Sequence, residues 1–249
     1  MRSRRKPRAK KHAVRVGVAG WSIPSQYKDE LPGDGSHLER YAQRLNSVEI
    51  NSSFYRHHRV QTYTRWAASV PSHFRFSVKV PQALTHEGEL HAEPDVLDQF
   101  IEEVGGLGPK LAVLLVQLPP SLEFDQASAK RFFKAVHRRI DVRVVCEPRH
   151  VSWSSQRADS LLADHSIARA AADPPLWPGG NEPGGCDDLV YFRWHGQPRK
   201  YYSDYGKNCL ETLERQVSSS HARDVWAIFD NTAHGFALGN ALAVAEALG

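Results

Sequence analysis

Long apolar runs are missing from this chain of 249 residues. No stretch approaches the roughly 20 residues needed to cross a bilayer, which excludes a helical membrane span. The opening residues contain no signal-peptide h-region, because Arg15 interrupts the first short apolar stretch. Cysteine is scarce as well. Cys146, Cys186 and Cys209 are scattered with no Cys-x-x-Cys spacing, suit a reducing compartment and are not read as nucleophiles. Together these absences lead us to expect a cytoplasmic protein. There is no Gly-x-Gly-x-x-Gly after the first apolar run, so the commonest dinucleotide signature is lacking and no cofactor is expected. A His-Glu-x-x-His spacing is lacking too, and so are internal repeats and linkers within the body of the chain.

Acidic residues are absent from residues 1–12, which hold Arg2, Arg4, Arg5, Lys6, Arg8, Lys10 and Lys11. The net charge of +4 is therefore a property of the tail: 25 basic residues remain in the body against 28 acidic ones. Such a self-repelling run with nothing to bury is expected to be disordered, a basic tail ahead of a single domain over residues 13–249. Hydrophobic content of 41% is ordinary for a soluble globular protein, and the length suffices for a sizeable core.

Eight segments read as strands: Val14–Gly20, Ser47–Asn51, Arg75–Val80, Leu111–Leu118, Val142–Glu147, Ile167–Asp173, Leu189–His195 and Asp224–Asn231. Helical patterns at Ser36–Leu45, Thr62–Val70, Asp95–Leu107, Asp125–His137, Ser155–His165, Asn208–Ser219 and Ala233–Leu248 separate most of them. Ser36 and Asn208 read as helix caps. Alternation of this kind implies a parallel sheet, and eight units in about 250 residues match a (β/α)8 TIM barrel. An open doubly wound sheet is the alternative. One unit is irregular: residues 173–188 contain four Pro and four Gly, so the sixth strand should reach the seventh without a proper helix.

In parallel barrels the functional site lies at the carboxyl ends of the strands. Period-two alternation places Glu49 with Asn51, Ser77 with Lys79, and Glu147 with Arg149 on single strand faces. It also groups Tyr191, Arg193 and His195, while Gln117, Asp230 and Asn231 close their own strands. The apolar faces should meet the helices and the polar ones converge. Glu49, Lys79, Glu147, Arg149, Arg193 and Asp230 sum to zero formal charge. They form either a self-neutralising network or a ligand site, and so many polar groups at one end favour the ligand site.

The same residues resemble the YecE-like family, domain of unknown function 72. The resemblance is carried by Val16-Gly-Val-Ala-Gly-Trp-Ser22, Val48-Glu-Ile-Asn-Ser-Ser-Phe-Tyr-Arg56, Phe74-Arg-Phe-Ser-Val-Lys-Val-Pro81 with Thr85-His86, and Leu115-Val-Gln-Leu-Pro-Pro120. Glu147-Pro-Arg-His150 with Trp153, Arg193-Trp-His-Gly196, and the run from Phe229 to Ala241 complete it. It implies a TIM barrel and lends no reaction. Pro148 stands where the family usually has Phe, and Asp230-Asn231 where it often has two Asn, which adds a negative charge.

The expected chemistry is that of a hydrolase acting on a phosphate-bearing or sugar-containing ligand. Lys79, Arg149 and Arg193, with His86 nearby, offer donors to a small anion, and backbone N–H groups at Thr232–Gly235 could add to them. Glu49 or Glu147 would serve as general base and His195 as its acid–base partner. Asn51, Gln117, Asp230 and Asn231 would line the site. Of Tyr201, Tyr202 and Tyr205, which follow the seventh strand, Tyr205 is taken into the ligand-binding set, as a stacking candidate. Glu49 and Glu147 could instead act as a glycosidase pair. A metal held by Glu49, Glu147, His150, His195 and Asp230 is disfavoured, since three cations share the mouth. An amine nucleophile at Lys79 is disfavoured because neighbouring carboxylates would keep it charged. The other functional class is a non-enzymatic binding module, with residues 1–12 tethering nucleic acid. No membrane partner is expected.

Overall fold

The computed structural model describes residues 13–249; the expectation of disorder for residues 1–12 falls outside them. The strands are β1 (Ala13–Val18), β2 (Ser47–Ile50), β3 (Arg75–Lys79), β4 (Leu111–Gln117), β5 (Arg143–Glu147), β6 (Ile167–Arg169), β7 (Ala171–Asp173), β8 (Gly184–Gly185), β9 (Leu189–Trp194) and β10 (Asp224–Phe229). The helices are α1 (His37–Tyr41), α2 (Ser52–Tyr55), α3 (Val60–Ala68), α4 (Gln82–Thr85), α5 (Pro94–Gly105), α6 (Gln126–His137), α7 (Gln156–Asp164), α8 (Lys207–Ser218) and α9 (Phe236–Leu248).

The strands form a mixed α/β fold with two largely parallel sheets, ordered β1-β10-β9-β7 and β2-β3-β4-β5-β6-β8. They adjoin at two places. The expected sixth strand is split at Ala170, so that β6 pairs with β5 while β7, one residue on, pairs with β9. At the other junction Ala19 bridges Glu49. Along the rest of β1, side chains replace the backbone ladder. The Asn46 amide accepts from the Val16 N–H at 3.0 Å and donates to the Val14 carbonyl at 2.9 Å. The Tyr41 hydroxyl accepts from Val18 N–H and donates to the Ser47 carbonyl. Backbone groups at a buried edge need such partners, and here two side chains meet the need. Gly17 permits the approach, because a Cβ there would drive into the Ser47 carbonyl oxygen.

Alternation works as the sequence implies. Val48, Val78, Val116, Cys146 and Phe192 point into the main core shared with the helices. Val113, Leu115, Val145, Tyr191, Trp226 and Ile228 form a separate apolar cluster on the opposite faces. Below that cluster Asp224 pairs with Arg15 and Arg143, each at 3.2 Å; above it lie the carboxyl ends.

Local starts follow side-chain chemistry. Ser36 makes a capping box with Glu39, which stabilises α1 by about 1 kcal/mol. Asp125 and Ser155 cap α6 and α7. Asn208, in contrast, is not a cap. Gly206 holds that position, and Asn208 lies in the first turn with its carbonyl accepting from Thr212. The last helix begins at Phe236, three residues later than the pattern suggests, because Gly235 at φ 80° holds a turn open ahead of it. Single-turn α2 and α4 occupy segments where no helix was expected.

Candidate functional site

Arg193 is the centre of the site, 1% exposed on the inner face of β9. Its Nη2 lies 2.8 Å from Glu49 Oε1 and 3.0 Å from Asp230 Oδ2, and its Nη1 lies 3.0 Å from Glu147 Oε2. One guanidinium thus joins the ends of β2, β5 and β10. A lone buried ion would cost several kcal/mol, so this burial is tolerable only with all three carboxylates in place. Burial acts to lower the Arg193 pKa, but Asp230, Glu49 and Glu147 overcome it and hold the group well above its ordinary value.

His195 is fully buried beside it. Its Nδ1 is 3.0 Å from Asp230 Oδ2 and its Nε2 is 3.1 Å from Glu147 Oε1. Arg149 Nη2 also approaches Nε2, at 3.3 Å, and pairs with Glu147 Oε1 at 2.6 Å. Asp230, an acceptor when ionised, suits a proton on Nδ1. Nε2 can accept from Arg149 or donate to Glu147, so it is where a proton can come and go. Burial acts to raise the Glu147 carboxyl, yet Arg149, Arg193 and His195 hold it well below the usual range. For Asp230 burial is likewise outweighed by Arg193 and His195, and the net shift is downward. Carboxylates this acidic are weak bases.

Lys79 differs from every other charged member. It is 6% exposed, and its Nζ sits 3.7 Å from the centre of the Phe54 ring. Its Nζ makes no ion pair or hydrogen bond with any described residue, while its carbonyl accepts from the Ser53 hydroxyl at 2.7 Å. Burial, then the charge of Arg193, pull its pKa down to about 8 against the opposing influence of Glu49, Glu147 and Asp230. The three acids act in the expected direction, favouring the charged amine, but Arg193 and Tyr191 engage Glu49 and Arg193 engages the other two acids, so burial and Arg193 prevail and the net shift is downward.

The remaining residues fall into two groups. Gln117 Nε2 reaches Glu147 at 3.5 Å, and His86 packs edge-on against Phe54 with its pKa lowered by burial and by Lys79 and Arg149. Asn51 Oδ1 and Arg149 Nε are buried without partners. Gln117, His86 and Arg149 belong to the cluster. Asn231 is instead turned to support, donating to the Ser203 carbonyl and to Asn240. Tyr205 is buried with its hydroxyl on Asp173 and on the Gly196 N–H, so it anchors its loop. The ring facing the site is that of Tyr201, edge-on to His195 at 5.4 Å with its hydroxyl 3.4 Å from Arg149.

Three features escape sequence reasoning. Phe54 under Lys79 gives no signal beyond its place after β2. Tyr191, which donates to Glu49 at 2.8 Å and accepts from Ser77 at 3.0 Å, was legible only as a face-mate of Arg193. The third is the Arg193 guanidinium, which bridges Glu49 and Glu147. The Thr232–Gly235 turn is also less open to an anion than expected, because Ala233 N–H donates to Tyr201 and Gly235 N–H to Thr232. Among the described residues no group of three His, Cys, Asp or Glu side chains is placed to hold a metal. No described helix is long and apolar enough to cross a membrane.

The sequence profile of the family described as "Protein of unknown function DUF72" matches residues 15–249. The chain belongs to this family. Individual proteins match as well. The UPF0759 protein YunF of Bacillus subtilis is 21% identical over 266 aligned positions, covering 94% of both proteins. The UPF0759 protein YecE of Escherichia coli K12 is 27% identical over 106 residues, 43% of this chain and 38% of YecE. A DUF72 protein of Enterococcus faecalis superposes with a TM-score of 0.79 at 23% identity, covering 94% of this chain and 95% of its own. Another, from Thermotoga maritima, gives 0.77 at 23% identity, covering 95% and 99%. These two DUF72 structures share the fold. The YecE-like resemblance read from seven motifs is therefore borne out.

Proposed function

We propose that the two sheets are arcs of one (β/α)8 barrel and that the cluster at its carboxyl ends is a hydrolytic site for a phosphate-bearing or sugar-containing ligand. The Ala19–Glu49 bridge and the one-residue step between β6 and β7 support the closure. For the site, the observation that carries the reading is the imbalance in pairing. Every carboxylate of the cluster is engaged, while Arg149 Nε is buried without a partner and Lys79 Nζ, over the Phe54 ring, has no ion pair. Unmet cationic donors beside a buried acid–base group suit an anionic ligand. Arg149, with Lys79 beside it, receives the anion. His195 transfers the proton at Nε2, oriented by Asp230, while Glu49 and Arg193 hold the frame.

The test is a panel of phosphomonoesters, phosphodiesters and aryl glycosides assayed with the wild type, Glu147→Gln and His195→Ala. Loss of acid–base catalysis predicts a fall of roughly 100-fold or more in kcat for His195→Ala. Unchanged turnover in both variants on every substrate cleaved by the wild type would remove the assignment.

A second reading, a nucleic-acid-binding module, draws on the rim. The exposed large apolar side chains, Tyr55, Val151, Leu176, Tyr201 and Tyr202, all lie in segments that follow strand ends, and Arg199 stacks over Tyr202 at 4.0 Å. Aromatic platforms with cations suit stacked bases. Deleting residues 1–12 should lower the salt dependence of single-strand binding if the tail tethers it. An unchanged slope dismisses the tether.

A further inference from the structure

The pairing around Lys79 leaves its amine without an ion pair among the described residues, set over the ring of Phe54. Arg193 bonds Glu49, Glu147 and Asp230; His195 bonds Asp230 and Glu147; Arg149 bonds Glu147. The hydroxyl of Tyr191 takes a further lone pair of Glu49. Three acids are thereby shared among two guanidiniums and an imidazole, and none forms an ion pair with Nζ. A lysine meant for structure at a buried position would be paired or would snorkel to water. This one is packed on the face of Phe54, beside His86, at the end of β3.

We propose that Lys79 captures the carbonyl carbon of a phosphate-bearing aldehyde or ketone as an imine, with the phosphate held at Arg149. The Nζ lone pair attacks the carbonyl carbon to give a carbinolamine. The former carbonyl oxygen then leaves as water, carrying both amine hydrogens, and a C=N bond replaces C=O. No oxidant, reductant or second substrate enters the balance. Attack requires the neutral amine, and the downward shift of this lysine to about 8 enlarges that fraction near neutrality. Relative to an ordinary lysine the gain is about 300-fold. Phe54 holds the nitrogen in place, and the buried surroundings limit hydrolysis of the imine. The inference rests on the anion placement proposed above, and not on hydrolysis.

The experiment uses the full chain with glycolaldehyde phosphate, or with uncharged glycolaldehyde, in the presence of sodium cyanoborohydride, followed by peptide mapping by mass spectrometry. Exposed Lys28 and Lys130 serve as internal comparators. With the phosphate compound Lys79 should be alkylated roughly ten-fold or more faster than either, as expected of the larger neutral fraction. Inorganic phosphate should slow that reaction, without recourse to any variant. If Lys79 reacts no faster than Lys28 and Lys130 with both aldehydes, the imine inference is overturned, whether or not phosphate binds. If Lys79 is preferred equally by the two aldehydes and phosphate gives no protection, the imine stands and the Arg149 anion site falls.

Discussion

Arg193 clasps Glu49 through two contacts, Nη2 to Oε1 at 2.8 Å and Nε to Oε2 at 3.0 Å, with neither side chain reaching solvent. Fork geometry of this kind is where Arg exceeds Lys, and it explains which cation holds the centre. It also explains which one does not. With its carboxylates committed to a guanidinium, the cluster offers the Lys79 amine no ion pair and leaves it over the Phe54 ring.

Removal of Arg193 should be severe. Arg193→Met leaves Glu49, Glu147 and Asp230 buried without their shared counter-charge, and should cost about 3–5 kcal/mol in urea unfolding. The double change Glu49→Gln with Arg193→Met should cost less than the sum of the two singles, because the partners act as a unit. Strict additivity would show that the pair is not coupled.

The depressed pKa of Lys79 makes a signed prediction for stability against pH. Its folded value is about 8, below the 10.5 of a free lysine. Between these values the unfolded chain binds more protons, so this group's contribution makes folding more favourable as pH rises from about 8 to about 10.5. Lys79→Met should therefore be at least as stable as the wild type near pH 7, and the difference should shrink toward the upper end of that window. Melting curves at both ends decide it; a variant markedly less stable at neutrality would contradict the shift.

Tyr201 adopts φ 70°, in the left-handed region, pinned where its N–H donates to the His195 carbonyl and its carbonyl accepts from Ala233. A bulky residue there costs on the order of 1–3 kcal/mol. Tyr201→Gly should relieve that cost, leaving the protein no less stable in chemical denaturation, while widening access to His195. A large loss of stability would mean that the ring contributes packing in excess of the strain.

Much of the site was legible because a strand has only two faces. Once Arg193 was assigned to β9, Tyr191 and His195 had to share its side, and Glu49, Lys79 and Glu147 followed by the same rule. Tyr205 shows where the rule ends. It lies in a loop, where no period fixes direction, and the structure uses it as an anchor while Tyr201 faces His195. Asn231, the last residue of the expected strand Asp224–Asn231, lies two residues beyond β10, where alternation no longer fixes direction and the side chain turns back toward Asn240.

The sequence by itself determined the α/β alternation, the family, and the set of charged side chains gathered at one end, because these depend on local periodicity and residue type. Only the tertiary structure decided the pairing within that set. Which carboxylate meets which cation depends on how strands distant in sequence approach one another to within about 3 Å. It is that packing which gives Arg193 all three acids and leaves the Lys79 amine against Phe54.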